Sequence, residues 1–203
     1  MPILHQPPTW STTPACSRYF ELWHGCLKSD LKSIRNGIDP TKCDLATDFG
    51  RGFYTTTVRR QARMWAWKRF LDLRPRRRKH EAPIILCFRV PLDRLARLDI
   101  LFFVLGDYDQ NRFWSLVHHC RRSTPTAVNT HCHPGRQAPD DWYDVVSGPV
   151  AAFWPQRVAM VGSDQVSFHT SVGTQLLTDL MRSGNRDDFR AFRVRPPRKR
   201  RKR

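Results

Sequence analysis

The order of strand-like and helix-like segments most constrains the fold of this 203-residue chain. Short apolar or alternating runs, which are typical of strands, occur at residues 19–25, 83–90, 94–104, 142–151 and 164–170. Apolar residues at helical spacing predict helices over 31–38, 58–73, 107–122 and 172–182. The two patterns alternate irregularly, without the βαβ rhythm of a doubly wound sheet. We therefore predict an α+β fold.

Several details of these segments are testable. The run at 83–90 lies between prolines and predicts a buried strand. The strand at 142–151 is expected to end at Gly148 and Pro149, and the helix at 107–122 to begin at an Asp107 or Asp109 cap. In the strand at 164–170, residues 166 and 168 are expected on one face and residues 165 and 167 on the other.

Charge and composition suggest one domain with two tails. Residues 1–16 are rich in Pro, Ser and Thr and predict a flexible lead-in, the domain is expected over 17–183, and residues 184–203 are expected to form a basic disordered tail. The net charge of +17 is concentrated at Arg74–Lys79 and 193–203, where it would attract nucleic acid.

Targeting features are absent from the sequence pattern. No apolar run reaches the roughly 18 residues of a membrane span, and no secretory signal is evident at the start. We expect no membrane association, a cytoplasmic location and reduced cysteines, with nuclear entry or delivery into a host cell as alternatives.

Six short pieces occur in a fixed order along the chain. They read "WHG" at 23–25, "DFGRGFYTT" at 48–56, "QARMWA" at 61–66, "FWSLVHHCR" at 113–121, "YDVVSGPVA" at 143–151 and "QVSFHT" at 165–170. In this order they resemble the ADP-ribosyltransferase superfamily, and most closely a bacterial domain family of unknown function within it. The resemblance covers about residues 19–180 and implies a split β-sandwich, two small antiparallel sheets around an NAD cleft.

The resemblance also implies residue roles, with NAD as the substrate. The catalytic set would be His24, Tyr54 and Gln165, in which His24 bonds a hydroxyl of the nicotinamide ribose and Tyr54 stacks on nicotinamide. Main-chain groups of Gly25 would hold the carboxamide. The rest of the cofactor wall would be Arg51 for the pyrophosphate, Gly52 for close approach of the ligand, Phe53 turned toward the core, and Thr55.

The implied activity is transfer of ADP-ribose to a protein or nucleic-acid acceptor, as a toxin, effector or housekeeping modifier. Two departures favour an alternative. Gln165 stands where many superfamily members have glutamate, and Ala152 stands where related families usually have aspartate. The alternative is a nucleic-acid-binding protein on a catalytically impaired scaffold, with contacts through Arg74–Lys79 and the C-terminal run.

Other sites fit the sequence less well. The ligand types of His118, His119, Cys120, His131, Cys132 and His133 suit zinc, but their spacing matches no common finger, so no metal is predicted. Ser167 and His169 alternate on one strand face without a nucleophile elbow before them. Trp65 and Trp67 are better explained as core and rim aromatics than as a base-stacking platform.

Overall fold

The structure is a computed structural model that describes residues 18–44, 46–104, 110–122 and 142–195. The expected lead-in, the Asp107 or Asp109 cap, the loop expected at 122–140 and the end of the chain after 195 lie outside the described residues, apart from Arg122. Within the described part, no helix has the length and apolar character that crossing a membrane requires.

Two small sheets confirm the α+β prediction. Sheet 1 has the order β1-β3-β7 and is antiparallel. Sheet 2 has the order β2-β6-β5-β4, in which only the β4–β5 pair is parallel. The strands are β1 Tyr19–Leu27, β2 Phe53–Thr55, β3 Pro83–Pro91, β4 Ile100–Phe102, β5 Val145–Phe153, β6 Val158–Phe168 and β7 Phe189–Arg193.

Helices connect and cover these sheets. They are α1 Lys28–Asn36, α2 Arg59–Asp72, α3 Pro75–Arg78, α4 Leu92–Leu95, α5 Gln110–Arg122 and α6 Ser171–Arg182. At the start of α6, the Thr170 side chain accepts a hydrogen bond from the Gly173 N–H, which satisfies one of the free donors of the first turn. The predicted helices are therefore present, with ends shifted by a few residues.

Three apolar clusters follow from the alternation of side chains along the strands. Cluster 1 packs between the sheets and α6, cluster 2 packs sheet 2 against α5, and cluster 3 packs sheet 1 against α2. Their largest buried members include Leu86, Phe88 and Phe168 in cluster 1, Phe49 and Val117 in cluster 2, and Ile85 in cluster 3. As predicted, Val166 and Phe168 face one side of β6, while Gln165 and Ser167 face the other.

Two predicted ends are wrong. β5 runs through Gly148 and Pro149 to Phe153, and the proline is tolerated because it lies beyond the short β4, next to a register shift against β6. The domain also continues past residue 183, since β7 forms an edge of sheet 1. Phe189 of β7 packs 5.2 Å from Phe88 between ring centroids, so this part of the expected tail is folded.

Three smaller expectations also change. The strand expected at 94–104 is a helical turn, α4, followed by the three-residue β4. The basic run at 74–79 contains the helical turn α3, which starts at Pro75, rather than loop alone. Trp65, expected as a core or rim aromatic, is 55% exposed, because α2 meets sheet 1 through Ala62 and Ala66.

Gly25 decides how closely α2 approaches sheet 1. A Cβ at this position would lie 2.3 Å from the Ala62 carbonyl oxygen and 2.9 Å from the Ala66 nitrogen, both main-chain atoms of α2. The absence of a side chain therefore lets helix and strand backbones touch, in the short "WHG" segment that the sequence singled out.

We predict that Gly25→Ala lowers the free energy of unfolding by about 3 kcal/mol, because the helix backbone cannot yield as a side chain could. Gly184→Ala is the matched control. It has φ +71 with nothing near its added methyl group, so about 1 kcal/mol is expected. Chemical denaturation measures both, and equal losses would contradict the close packing at Gly25.

Candidate functional site

His24 lies half-buried on β1, with its ring stacked on Phe53 at a centroid distance of 4.3 Å. Its Nδ1 is 2.6 Å from the main-chain oxygen of Tyr54. Burial lowers the pKa of His24 from 6.5 to about 4, against the opposing effect of the Tyr54 carbonyl. The ring is therefore neutral near pH 7. Nδ1–H donates to Tyr54, so Nε2 is left as an acceptor, and the described residues provide no donor to it.

β1 and β2 separate at His24. The two strands are joined by one bridge, in which Trp23 and Thr56 exchange both main-chain hydrogen bonds, at 2.7 and 2.8 Å. In a continued ladder, the next pair to exchange bonds would be Gly25 and Tyr54. The His24 side chain instead occupies the Tyr54 carbonyl, so the ladder stops there.

The main chain of Gly25, a buried residue, consequently has no strand partner at this edge. By the two-residue period of a strand, its N–H and C=O point to the same side as those of Trp23, away from β3. Among the described residues, no hydrogen bond from across the split reaches either group. A neighbouring donor and acceptor on one strand edge form a site that an amide group can pair with.

Tyr54 is half-buried, and its hydroxyl is held inside the turn at 47–50. It accepts from the Phe49 N–H at 2.9 Å, donates to the Gly50 carbonyl at 2.8 Å and lies 2.8 Å from Thr47 Oγ1. Burial raises the pKa of this phenol, so it stays protonated. Gly50 has φ +77, a conformation that glycine adopts without strain, and so permits this turn. The ring of Tyr54 is thereby fixed in place.

Gln165 belongs to a buried polar network around Asp48, which is 2% exposed. Gln165 Nε2 donates to Asp48 Oδ2 at 2.6 Å and to the Pro149 carbonyl at 2.9 Å. The same Oδ2 accepts from the Ala151 N–H at 2.8 Å, and Oδ1 accepts two bonds from Arg121 at 2.8 and 2.6 Å. The amide of Gln165 is thus oriented by a paired carboxylate, while its Oε1 receives no hydrogen bond from the described residues.

The structure brings Tyr54 and Gln165 to the same face of sheet 2. Tyr54 lies opposite Ser167, and Gln165 is two residues from Ser167 on β6, so the three side chains share a face. His24 lies on the other side, against Phe53. Tyr54 and Gln165 therefore share one face of sheet 2, while His24 lies on the opposite side of β2. The predicted convergence of the three residues on one ligand remains a prediction.

The remaining residues of the predicted cofactor wall have internal partners. A Cβ on Gly52 would lie 2.8 Å from His169 Nδ1, so the space that was expected for a ligand holds the His169 ring. Phe53 is buried in cluster 1, as expected for a core residue, and the Thr55 hydroxyl donates to the Val166 carbonyl at 2.7 Å. These three residues therefore have packing roles in the structure, and their contact with NAD remains a prediction.

Arg51 is half-buried, and its main-chain oxygen lies 2.7 Å from His169 Nδ1. Its Nε is buried and has no hydrogen-bond partner within the described residues. The expected pyrophosphate contact remains a prediction. Ala152 is half-buried on β5, one residue after the N–H that binds Asp48.

Ser167 and His169 do touch, with Oγ 2.7 Å from Nε2. Both residues are buried, at 0% and 8% exposure, and Ser167 Oγ donates a hydrogen bond to the Val146 carbonyl at 3.0 Å. A nucleophile must be reachable by its substrate, so this pair is better explained as a structural contact between strands and the turn at Arg51.

Cysteine and metal chemistry find little support in the described part of the chain. Burial raises the pKa of Cys26 and Cys120 to about 12 and that of Cys87 to about 11, so these thiols stay protonated. No group of three or more metal-ligating side chains is found among the described residues. His131, Cys132 and His133 lie outside them.

Asp48 and Arg121 are site residues that the sequence reasoning missed. Both belong to the quoted pieces, since Asp48 begins "DFGRGFYTT" and Arg121 ends "FWSLVHHCR". The sequence signal for this ion pair was the presence of an acidic residue in one piece and a basic residue in another. Their 73-residue separation in sequence hid the contact, which exists because α5 packs beside the turn at 47–50.

A family model described as "Protein of unknown function (DUF3990)" matches residues 20–178. The chain belongs to this family. The match confirms the expected membership in a family of unknown function and spans every part of the site described above. No curated protein and no solved structure matches the chain.

We predict that Gln165→Glu lowers the free energy of unfolding by about 3 kcal/mol at neutral pH, because it places a second carboxylate against Asp48 Oδ2. Like charges raise the pKa of the pair, so a proton bound at lower pH should remove most of this loss. Denaturation at about pH 7 and pH 5, with Gln165→Ala as the uncharged control, measures the effect. A loss that does not change with pH would contradict the assignment.

We also predict that His24 makes folding stability depend on pH. Its pKa is lower in the folded state, so its contribution is complete above 6.5 and is lost as the pH falls toward 4. Between pH 7 and pH 5 the free energy of unfolding should fall by about 2 kcal/mol more than in His24→Asn, which does not titrate. Parallel changes in both proteins would contradict a depressed pKa.

Proposed function

We propose that the protein transfers ADP-ribose from NAD to a macromolecular acceptor. The observation that carries the proposal is the unpaired strand edge at Gly25, next to the neutral ring of His24. The N–H of Gly25 would donate to the carbonyl of the nicotinamide carboxamide, and the C=O would accept from its NH2 group. Two such bonds fix the orientation of the ring that leaves.

His24 supports binding of the ribose in this proposal. Because Nδ1–H is engaged by the Tyr54 carbonyl, Nε2 can accept a hydrogen bond from a ribose hydroxyl. The depressed pKa keeps that acceptor available at neutral pH, whereas a protonated ring would offer only donors. The side chain that opens the strand pair would therefore also bind the sugar.

Tyr54 and Gln165 would contact the ligand from the other face of β2. Tyr54 is cross-strand to Gly25 in the continued register, and its anchored hydroxyl fixes the ring as a wall for nicotinamide. Gln165 Oε1 would accept from a substrate hydroxyl while Nε2 stays on Asp48. A ligand in the gap between the strands would meet both faces.

The chemistry suits these groups. The bond between ribose C1′ and the nicotinamide nitrogen breaks, and its electron pair leaves with neutral nicotinamide, so no general acid is required. The sugar carbon becomes positively charged, as in glycoside hydrolysis, and the acceptor forms the new bond to C1′ and releases its proton. Gln165 is uncharged and cannot act as a base, so the rate would depend on orientation of the substrate and on the nucleophilicity of the acceptor.

The fold is consistent with this proposal at a coarser level. The two small sheets are joined at one bridge, and the strands β1, β2 and β6 on either side of it carry the pieces "WHG", "DFGRGFYTT" and "QVSFHT" of the resemblance. The family description itself leaves the activity open, so the proposal stands on the geometry of the site and on the resemblance.

The test is release of nicotinamide and transfer of label from radiolabelled NAD, with cell protein and total RNA supplied as separate acceptors. We expect product from the natural chain and a loss of at least about tenfold in His24→Asn, because asparagine can keep a donor near Tyr54 but removes the Nε2 acceptor. His24→Gln, which places an amide near the Nε2 position, should retain more activity.

The controls separate activity from folding. Thermal unfolding must show that both His24 variants are folded, and an exposed substitution far from the gap, Ser33→Ala on α1, should leave the rate unchanged. Folded natural protein that neither binds NAD nor releases nicotinamide with either acceptor would refute the proposal.

A further inference from the structure

An open groove of about 580 Å³ lies between α2 and the end of β7, on the outer side of sheet 1. A smaller extension of about 200 Å³ shares its β7 wall and continues toward the start of α2. We call the two together the α2–β7 groove. Its charged and aromatic lining consists of four arginines, one glutamate and three aromatic residues: Arg59, Arg63, Arg193, Arg195, Glu81, Trp67, Phe70 and Phe192.

The α2 wall is a single stripe of the helix. Arg59, Arg63, Trp67 and Phe70 are spaced by four, four and three residues, so they lie on one face one above another. The stripe thus presents two guanidinium groups, followed by two aromatic rings whose centroids are 5.4 Å apart. Arg59 is held in place by stacking at 5.0 Å on Trp23 and 5.6 Å on Phe192.

The arginines of the groove carry unbalanced charge. In the described part of the chain, no carboxylate forms a salt bridge with Arg59, Arg63, Arg193 or Arg195. Glu81 is the acidic residue among those that line the groove, and it accepts a hydrogen bond from the Ser29 N–H at 3.2 Å. In sequence, the chain beyond Arg195 continues as Pro-Pro followed by six basic residues. This side of the protein therefore favours a polyanion.

We infer that the α2–β7 groove binds single-stranded nucleic acid. Arginines suit the phosphates, since guanidinium groups pair with phosphate oxygens. The sequence favoured a core or rim position for Trp67, but in the structure its ring and that of Phe70 line the groove and are half-buried. They offer apolar faces to unstacked bases, which a duplex keeps inside its helix. Charge alone would attract any polyanion, whereas basic and aromatic groups in one stripe favour a single strand over an acidic peptide or a duplex.

This site is separate from the gap at His24. The groove lies on the cluster 3 side of sheet 1, where Gly25 meets α2, while His24 faces Phe53 on the cluster 1 side. Binding of nucleic acid in the groove therefore does not depend on transfer of ADP-ribose, and either activity can be tested without the other.

The test is fluorescence anisotropy of the full chain with a labelled single-stranded RNA of about 12 nucleotides, and with single-stranded DNA and duplex of the same sequence. We expect both single strands to bind more tightly than the duplex. Trp67→Leu should weaken single-strand binding about tenfold, because leucine fills the space but offers no ring for stacking, and Trp67→Phe should retain most of it. Trp65→Leu, an exposed tryptophan of the same helix outside the groove, should have little effect.

Charge variants complete the test. Arg63→Ala combined with Arg195→Ala should flatten the plot of log affinity against log salt concentration by about 1.4, the value for two phosphate contacts on a single strand. The control pair, Arg97→Ala with Arg112→Ala, removes the same charge from exposed positions elsewhere and should change the slope less. Equal binding of duplex and single strand, an equal effect of the Trp65 and Trp67 changes, or tighter binding of poly-glutamate than of RNA would overturn the inference.

Discussion

The buried carboxylate of Asp48 is the interaction on which the arrangement around the gap depends. A charge with 2% exposure is costly unless it is fully hydrogen-bonded, and here α5, β5 and β6 each supply a donor. The three elements are thereby held to the turn at 47–50. The turn at 47–50 also binds the Tyr54 hydroxyl. The position of Tyr54 therefore depends on the hydrogen bonds that Asp48 receives.

A second constraint acts on the other side of the gap. Gly25 allows α2 to touch β1. The His24 ring donates a hydrogen bond to the Tyr54 carbonyl, which in a continued ladder would bond to Gly25. Two adjacent residues of β1 therefore have different effects: Gly25 allows close packing against α2, and His24 interrupts the hydrogen-bond ladder between β1 and β2. Together they leave an unpaired strand edge beside a neutral imidazole, which is the basis of the proposed NAD site. The outer surface of α2 is left free to carry the basic and aromatic stripe of the groove.

Much of the fold could be predicted from sequence, because its main elements have local signals. The apolar run between Pro83 and Pro91 forms β3, and the alternation at residues 165–168 sends Gln165 and Ser167 to the opposite face from Val166 and Phe168. The short pieces "WHG", "DFGRGFYTT" and "QVSFHT" singled out His24, Tyr54 and Gln165 as candidate site residues. β7 was not predictable in the same way, since its arginine-rich segment becomes a strand only through pairing with β3 and packing of Phe189 on Phe88.

The sequence by itself therefore determined the α+β class, the main strands and helices, and the membership of the family. Local propensity, hydrophobic period and glycine positions carry that information over short stretches. Only the tertiary structure decided that His24 and Gln165 lie on opposite sides of β2, that His169 fills the space beside Gly52, and that Asp48 joins Gln165 to Arg121. The reason is physical: burial and pairing of polar groups far apart in the chain depend on how the sheets pack, and no local pattern encodes that packing.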